Sequence, residues 1–162
     1  MPELDKSKLL AALRAQLAAE LARSKARAVD AAEGATHEEN RAEGDKDMRS
    51  TEASYVARGH AERTVLLEQA LVQLSTLELR DFGKNAAVAT SALVELEQGT
   101  QRVHYFLVPA AGGERLSFDG LEVHTLTPAS PLGVALLGLS AGDEAEVSSP
   151  QGVRFYELLS VR

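Results

Sequence analysis

Hydrophobic positions follow a helical period in the first half of the chain and a period of two in the second half. Leu10, Leu13, Leu17 and Leu21 recur at three- and four-residue spacing, with charged Lys8, Arg14, Glu20, Arg23 and Arg27 on the remaining surface. This stripe predicts one amphipathic helix from residue 3 to about 30. Pro2, Glu3 and Asp5 suit its start, since carboxylates favour the positive end of a helix dipole. A second helical pattern runs from about Thr51 to Leu79, through Val56, Leu67, Leu71, Leu74 and Leu77, with the polar Arg63 interrupting the line. Ser50 or Thr51 suits its cap, and an earlier start near Thr36 also fits. Gly59 inside it points to a close helix–helix approach. Neither helix buries its leucines alone, so the two pair as an antiparallel hairpin. At 1.5 Å per residue each helix spans roughly 40 Å, so the hairpin is expected to project.

The segment ELRDFGKN breaks the helical pattern and marks a linker over 80–86. Beyond it, VATSALVELE from Val88 alternates as a strand. RVHYFLV from Arg102 is rich in β-formers. Gln98-Gly99, Gly112-Gly113 and Asp119-Gly120 are turn signals, and Leu121 to Leu126 reads as a strand. Ser130 to Leu139 reads as a short helix with Ser130 as N-cap and Pro131 in the first turn. Gly133 and Gly138 are expected to permit close helix–sheet packing. Ala145 to Ser148 and Val153 to Val161 form the final strands, with Phe155 and Tyr156 on opposite faces. The expected class is α+β. It has a helical hairpin over 1–79 with an acidic tip near 33–50, then a small sheet domain with one short helix over 87–162.

Charge narrows the function. The net charge of −7 argues against broad binding to a phosphate backbone. The absence of cysteine excludes disulfides and thiolate zinc sites. The N-terminus lacks the apolar core of a secretory signal, and no window approaches a membrane span, so a cytoplasmic chain is expected. Ser130-Pro131 lacks the surroundings of a nucleophile elbow. His60, His104 and His124 have no metal-ligand spacing, and His37 is an isolated loop histidine.

From Thr127, the run TPASPLGVALLGLSAGDEAEVSSPQGVRFYELLSVR resembles the end of the bacterial GreA/GreB transcript-cleavage factors. SPLG, LLG and GDE, a Pro-Gly turn and a closing strand pair carry the likeness. It implies a helical hairpin followed by an FKBP-like sheet domain. It also implies a non-catalytic accessory factor that binds RNA polymerase, regulates transcription, and meets nascent RNA and DNA only through the elongation complex. Such a factor would be a cytoplasmic monomer, associated with the nucleoid through polymerase. No membrane contact is implied.

In the family the tip carries an acid and, three positions later, Glu-Asn. Glu39 and Asn40 match the Glu-Asn, while Thr36 stands where the first acid is expected. Tyr55 resembles a family tyrosine, and its distance from Glu39 implies a longer tip. The tip acids Glu33, Glu38, Glu39, Glu43, Asp45 and Asp47 face only Arg41 and Lys46 in opposition. The motif match makes Glu39 the first candidate for catalysis in trans, followed by Glu38, and charge density adds Asp45 and Asp47. Glu39 and Glu38 would share Mg²⁺ with the polymerase, an ion that takes few carboxylates and keeps its waters. An ordinary solvated loop explains the same acids. Arg41, Arg49, Arg58 and Arg63 suit nucleic acid, polymerase carboxylates, or simple solubility. Channel occupancy without cleavage, a prolyl isomerase, and a generic coiled-coil interaction module are the alternatives.

Overall fold

The computed structural model describes residues 3–39 and 46–162, with the side chains at 34–54, 56–57 and 60 outside that description. Helix α1 (Lys6–Glu39) and helix α2 (Lys46–Ser75) precede strands β1 (Leu93–Gln98), β2 (Gln101–Leu107), β3 (Arg115–Phe118) and β4 (Leu121–Leu126). Helix α3 (Pro131–Leu136) and strands β5 (Glu144–Ser149) and β6 (Gly152–Val161) complete the chain. The class is α+β. Two compact units form: Arg14–Val72, and Met1–Leu13 with Gln73–Arg162.

The Arg14–Val72 unit is a pair of helices. Ser24 Oγ lies 3.0 Å from Thr64 Oγ1. Ser24 precedes the end of α1 by about as many residues as Thr64 follows the start of α2, so the chain doubles back and the helices run antiparallel. Leu17 and Leu67 are buried in this unit and Leu21 and Leu71 half-buried. Glu20 pairs with Arg63, whose Nε lies 3.1 Å from Oε1, and Lys25 pairs with Glu68 at 3.2 Å. Arg63 is therefore an ion-pairing flank of the seam, not part of its apolar line. A Cβ on Gly59 would meet nothing within 4 Å, so close helix–helix approach is not the role of this glycine.

The other unit is built on one mixed sheet with strand order β3-β4-β2-β1-β6-β5. All neighbours are antiparallel except β2 and β4. Alternation puts Val94, Leu96, Leu107, Leu126, Ala145, Tyr156 and Leu158 on one face, where Leu136 of α3 closes the core. Tyr105 packs on the same core, and burial raises its hydroxyl pKa. The start of α1 lies against the other face at the β1–β2 end. There Leu4 lines a small cavity with Leu93, Glu95, His104 and Ser160, and Lys8 Nζ sits 5.9 Å from the Phe118 ring centroid.

Lys6 fastens this arrangement. Its Nζ donates to the carbonyl oxygens of Arg80, Ser91 and Arg162, the last two at 3.1 Å. It also stands 4.8 Å from the Phe82 ring centroid. Burial lowers its pKa, against the opposing pull of the Asp81 carboxylate, and the nearby Arg80 charge adds to the lowering. Ser91 is fully buried in a left-handed conformation (φ 77°), donates its N–H to Leu107 O, and accepts from Arg80 N on its hydroxyl. That turn is why β1 starts at Leu93 and not at Val88, as alternation alone predicts. Strand β3, which the turn signals only bracket, pairs with β4.

Helix α3 shows why its sequence matters. Ser130 caps it, accepting from Gly133 N at 3.1 Å and donating to Thr127 O at 2.7 Å. A Cβ on Gly133 would lie 2.0 Å from Thr127 O, so close packing there requires glycine. Gly138 differs: nothing lies near it, and its φ of 84° supplies a left-handed exit from α3.

Gly133→Ala is expected to lower unfolding free energy by about 2–3 kcal/mol, measured by denaturant titration, whereas Gly83→Ala, with open space around it, stays within about 0.5 kcal/mol of wild type. Asp5 caps α1, accepting from Ser7 N at 2.9 Å and Lys8 N at 3.4 Å. Hydrogen bonds from Ser7, then from Lys8, lower its pKa from 3.8. A depressed carboxylate pKa adds stability that is complete above the unfolded value and fades as pH falls through the folded one. The melting deficit of Asp5→Ala is thus expected at pH 7 and to shrink below about pH 3.8.

Candidate functional site

Helix boundaries decide which tip acids share a location. Glu38 and Glu39 are the last two residues of α1, and Asp47 is the second residue of α2. The antiparallel pairing therefore places all three at the same end of the hairpin. Asp45, Asn40 and Glu43 lie outside the described residues, as do the side chains of Thr36, His37, Glu38, Glu39 and Asp47. A helix C-terminus carries partial negative charge, so Glu38 and Glu39 each cost about 0.3–1 kcal/mol there, whereas Asp47 at an N-terminus is favoured. The helix dipole therefore gives these two carboxylates no stabilising role at that end. Their oxygens are the donors that Mg²⁺ prefers. Among the described residues, no group of three or more acids and histidines is arranged to hold a metal.

Further down the hairpin, Tyr55 is 64% exposed, and Arg58 on the same helix lies 5.5 Å from its ring centroid. His104 and His124, distant in sequence, line one groove with Glu3, Leu4, Glu95 and Glu122. His124 Nε2 sits 2.7 Å from Glu122 Oε1. No sequence spacing could have revealed this neighbourhood, since it comes from the parallel pairing of β2 and β4.

The sheet domain offers two exposed apolar regions. One is on α3, where Val134 is 63% exposed and Leu137 40%. The other is on β6, where Val153 and Phe155 are each 50% exposed. Phe106 and Tyr156 are buried on opposite sides of the sheet and Phe155 faces outward, so these rings do not converge on one aromatic pocket. This distribution opposes the isomerase reading.

Several motif residues near the C-terminal end have fold-forming roles. Ser130, Pro131 and Gly133 start and seat α3. Asp143 closes a turn by accepting from Ser140 N at 2.8 Å, beside Gly142 at φ 97°. Asp143 O also accepts from Leu158 N, which ties that turn to β6. The chain thus joins a two-helix hairpin with acids at its turn to a six-stranded sheet carrying these motifs. Residues 84–162 match the family described as "Transcription elongation factor, GreA/GreB, C-term". That likeness makes residues 84–162 a domain of the GreA/GreB C-terminal type.

The chain is 32% identical over 97 residues to transcription elongation factor GreA of Orientia tsutsugamushi (strain Ikeda), covering 59% of this chain and 57% of that protein. It is 29% identical over 107 residues to GreA of Clostridium botulinum (strain Hall), covering 58% and 63%. The chain thus matches less than two thirds of the length of these relatives. The crystal structure of GreA factor homolog 1 of Thermus thermophilus aligns over 92% of this chain and 94% of that one, at 22% identity and a TM-score of 0.37. No described helix is long and apolar enough to cross a membrane.

Neutralising the tip tests whether its acids serve the fold. Glu38→Gln/Glu39→Gln is expected to leave stability unchanged or raise it by up to about 1 kcal/mol, read by thermal unfolding. A clear loss of stability would assign these carboxylates a structural role.

Proposed function

We propose that this chain is a cytoplasmic, monomeric accessory factor of RNA polymerase. It docks by its sheet domain at the rim of the secondary channel and brings the hairpin turn toward the polymerase active centre. The carrying observation is the match of residues 84–162 to the GreA/GreB C-terminal family. Two further features support it. The part of α1 from Arg14 to Glu39 spans about 39 Å at 1.5 Å per residue. Its far end carries acids that cost stability.

In this reading the factor has no catalytic centre of its own. Glu39 and Glu38 would hold Mg²⁺ together with polymerase carboxylates, and Asp45 and Asp47 would add negative potential around it. Bound there, the ion would supply Lewis-acid activation for hydrolysis of backtracked RNA. The protein's own contribution is reach and placement: a narrow helical pair delivers carboxylates to a site that a globular domain cannot enter. Nucleic acid is met only within the elongation complex, in keeping with the net charge of −7.

A second reading is favoured by Thr36. A hydroxyl stands where the family's first tip acid is expected, which removes one anionic ligand. The factor would then occupy the channel and modulate transcription without cleavage.

A backtracked elongation complex with 3′-labelled RNA and the cognate polymerase separates these readings. Release of short 3′ fragments by wild type in Mg²⁺, reduced at least tenfold by Glu38→Gln/Glu39→Gln, is the expected outcome of metal sharing, since removal of such interactions costs about 2–4 kcal/mol in comparable sites. Binding without release supports occupancy. Absence of binding overturns the polymerase reading altogether.

A further inference from the structure

Strand register creates a charged surface that neither alternation nor motif reveals. Glu97 on β1 is the register partner of Glu157 on β6, and Glu157 is in turn the partner of Glu144 on β5. Three carboxylates therefore stand in one row across three adjacent strands. Glu146, Phe155 and Val153 share their face, by the two-residue alternation of β5 and β6. It is the face opposite the core of Leu158, Tyr156 and Ala145.

Like charges directly opposite one another destabilise a sheet. Arg102 relieves the β1 end, lying 3.2 Å from Glu97 and 3.6 Å from Glu95. Among the described residues, Glu144, Glu146 and Glu157 have no ion pair, and all three are exposed. Acids on an edge strand normally deter sheet-to-sheet association. That accounts for Glu144 and Glu146 on edge strand β5. It does not account for Glu157 on an interior strand, nor for a half-exposed Phe155 opposite Glu146. Elsewhere the face is closed: at its β1–β2 end Leu93 and Phe106 are buried.

We propose that the open β1–β6–β5 face, with Phe155 and Val153 ringed by Glu144, Glu146 and Glu157, is a docking surface for a basic protein surface bearing arginine or lysine. Charge complementarity identifies the occupant. A cationic side chain would neutralise the row, and a guanidinium would also stack on the Phe155 ring. A second copy of this chain would bring the same acids to the same place, and nucleic acid would be repelled. The surface is separate from Val134 and Leu137 on α3, which belong to the core-covering side. Resting on the polymerase reading above, the proposal places the basic partner surface on RNA polymerase.

Binding of the full-length labelled chain to cognate core polymerase, followed by fluorescence anisotropy over a salt series, tests it. Glu144→Gln/Glu157→Gln relieves the like-charge row, so the fold is expected to persist, as thermal unfolding will verify. This variant should bind at least about tenfold more weakly than wild type and with a shallower salt dependence. Phe155→Ser should also lose about tenfold, without changing that dependence. Wild-type affinity in both variants would overturn the docking surface while leaving the polymerase reading intact. Failure of the wild-type chain to bind would overturn the reading, and the proposal with it.

Discussion

A single ammonium group holds together parts of the sheet unit that lie far apart in sequence. Lys6 Nζ reaches the carbonyls of Arg80, Ser91 and Arg162 while facing the ring of Phe82. Those groups belong to the segment after α2, the turn before β1 and the end of β6. The Arg80 and Ser91 carbonyls lie at irregular positions, and Arg162 O also accepts from Leu93 N. Lys6 reaches all three from the first turn of α1. The left-handed turn at Ser91, the start of β1 and the seat of α1 on the sheet are thus linked through one cation. Asp5 completes the device by capping the helix that carries it.

With the fold secured this way, charges that do not help it become informative. Glu38 and Glu39 crowd the negative end of α1, and Glu97, Glu157 and Glu144 oppose one another across the sheet. Both arrangements oppose stability by fractions of a kcal/mol per pair or residue. They are also the features through which a cation or a cationic partner would gain most. By contrast, the residues that identify the family are fold-forming: Ser130, Gly133, Gly142 and Asp143 build a helix start and a turn. The family likeness thus rests mainly on fold-forming residues of the sheet domain, while the tip acids stand at the other end of the sequence.

Local patterns made much of the fold legible. The leucines of α1, the alternation in β2 and β4, and the cap and proline of α3 each leave a mark within a few residues. Register and backbone sign do not. Val88 to Ala92 alternates like a strand, yet Ser91 turns left-handed because Lys6 and Arg80, remote in sequence, bind it there. Helix α1 runs on to Glu39 because alanine-rich sequence continues after its leucines end. Leu9, fully buried, sits beside the expected stripe because the start of α1 also covers the sheet. Of the candidate site, the acids are visible as composition and by resemblance. The carboxylate row is invisible in sequence, since its members come from three strands that only hydrogen bonding aligns.

The central claim is that the hairpin turn reaches the catalytic end of polymerase-bound RNA. The chain has no cysteine, so a single one at Glu39 can carry a short photo-activated crosslinker without background. In a backtracked complex with the cognate polymerase, the account predicts a crosslink from that position to the 3′ end of the RNA, and none from an equivalent probe at Val134. A crosslink from neither position, with the protein bound, or from Val134 alone, would contradict it.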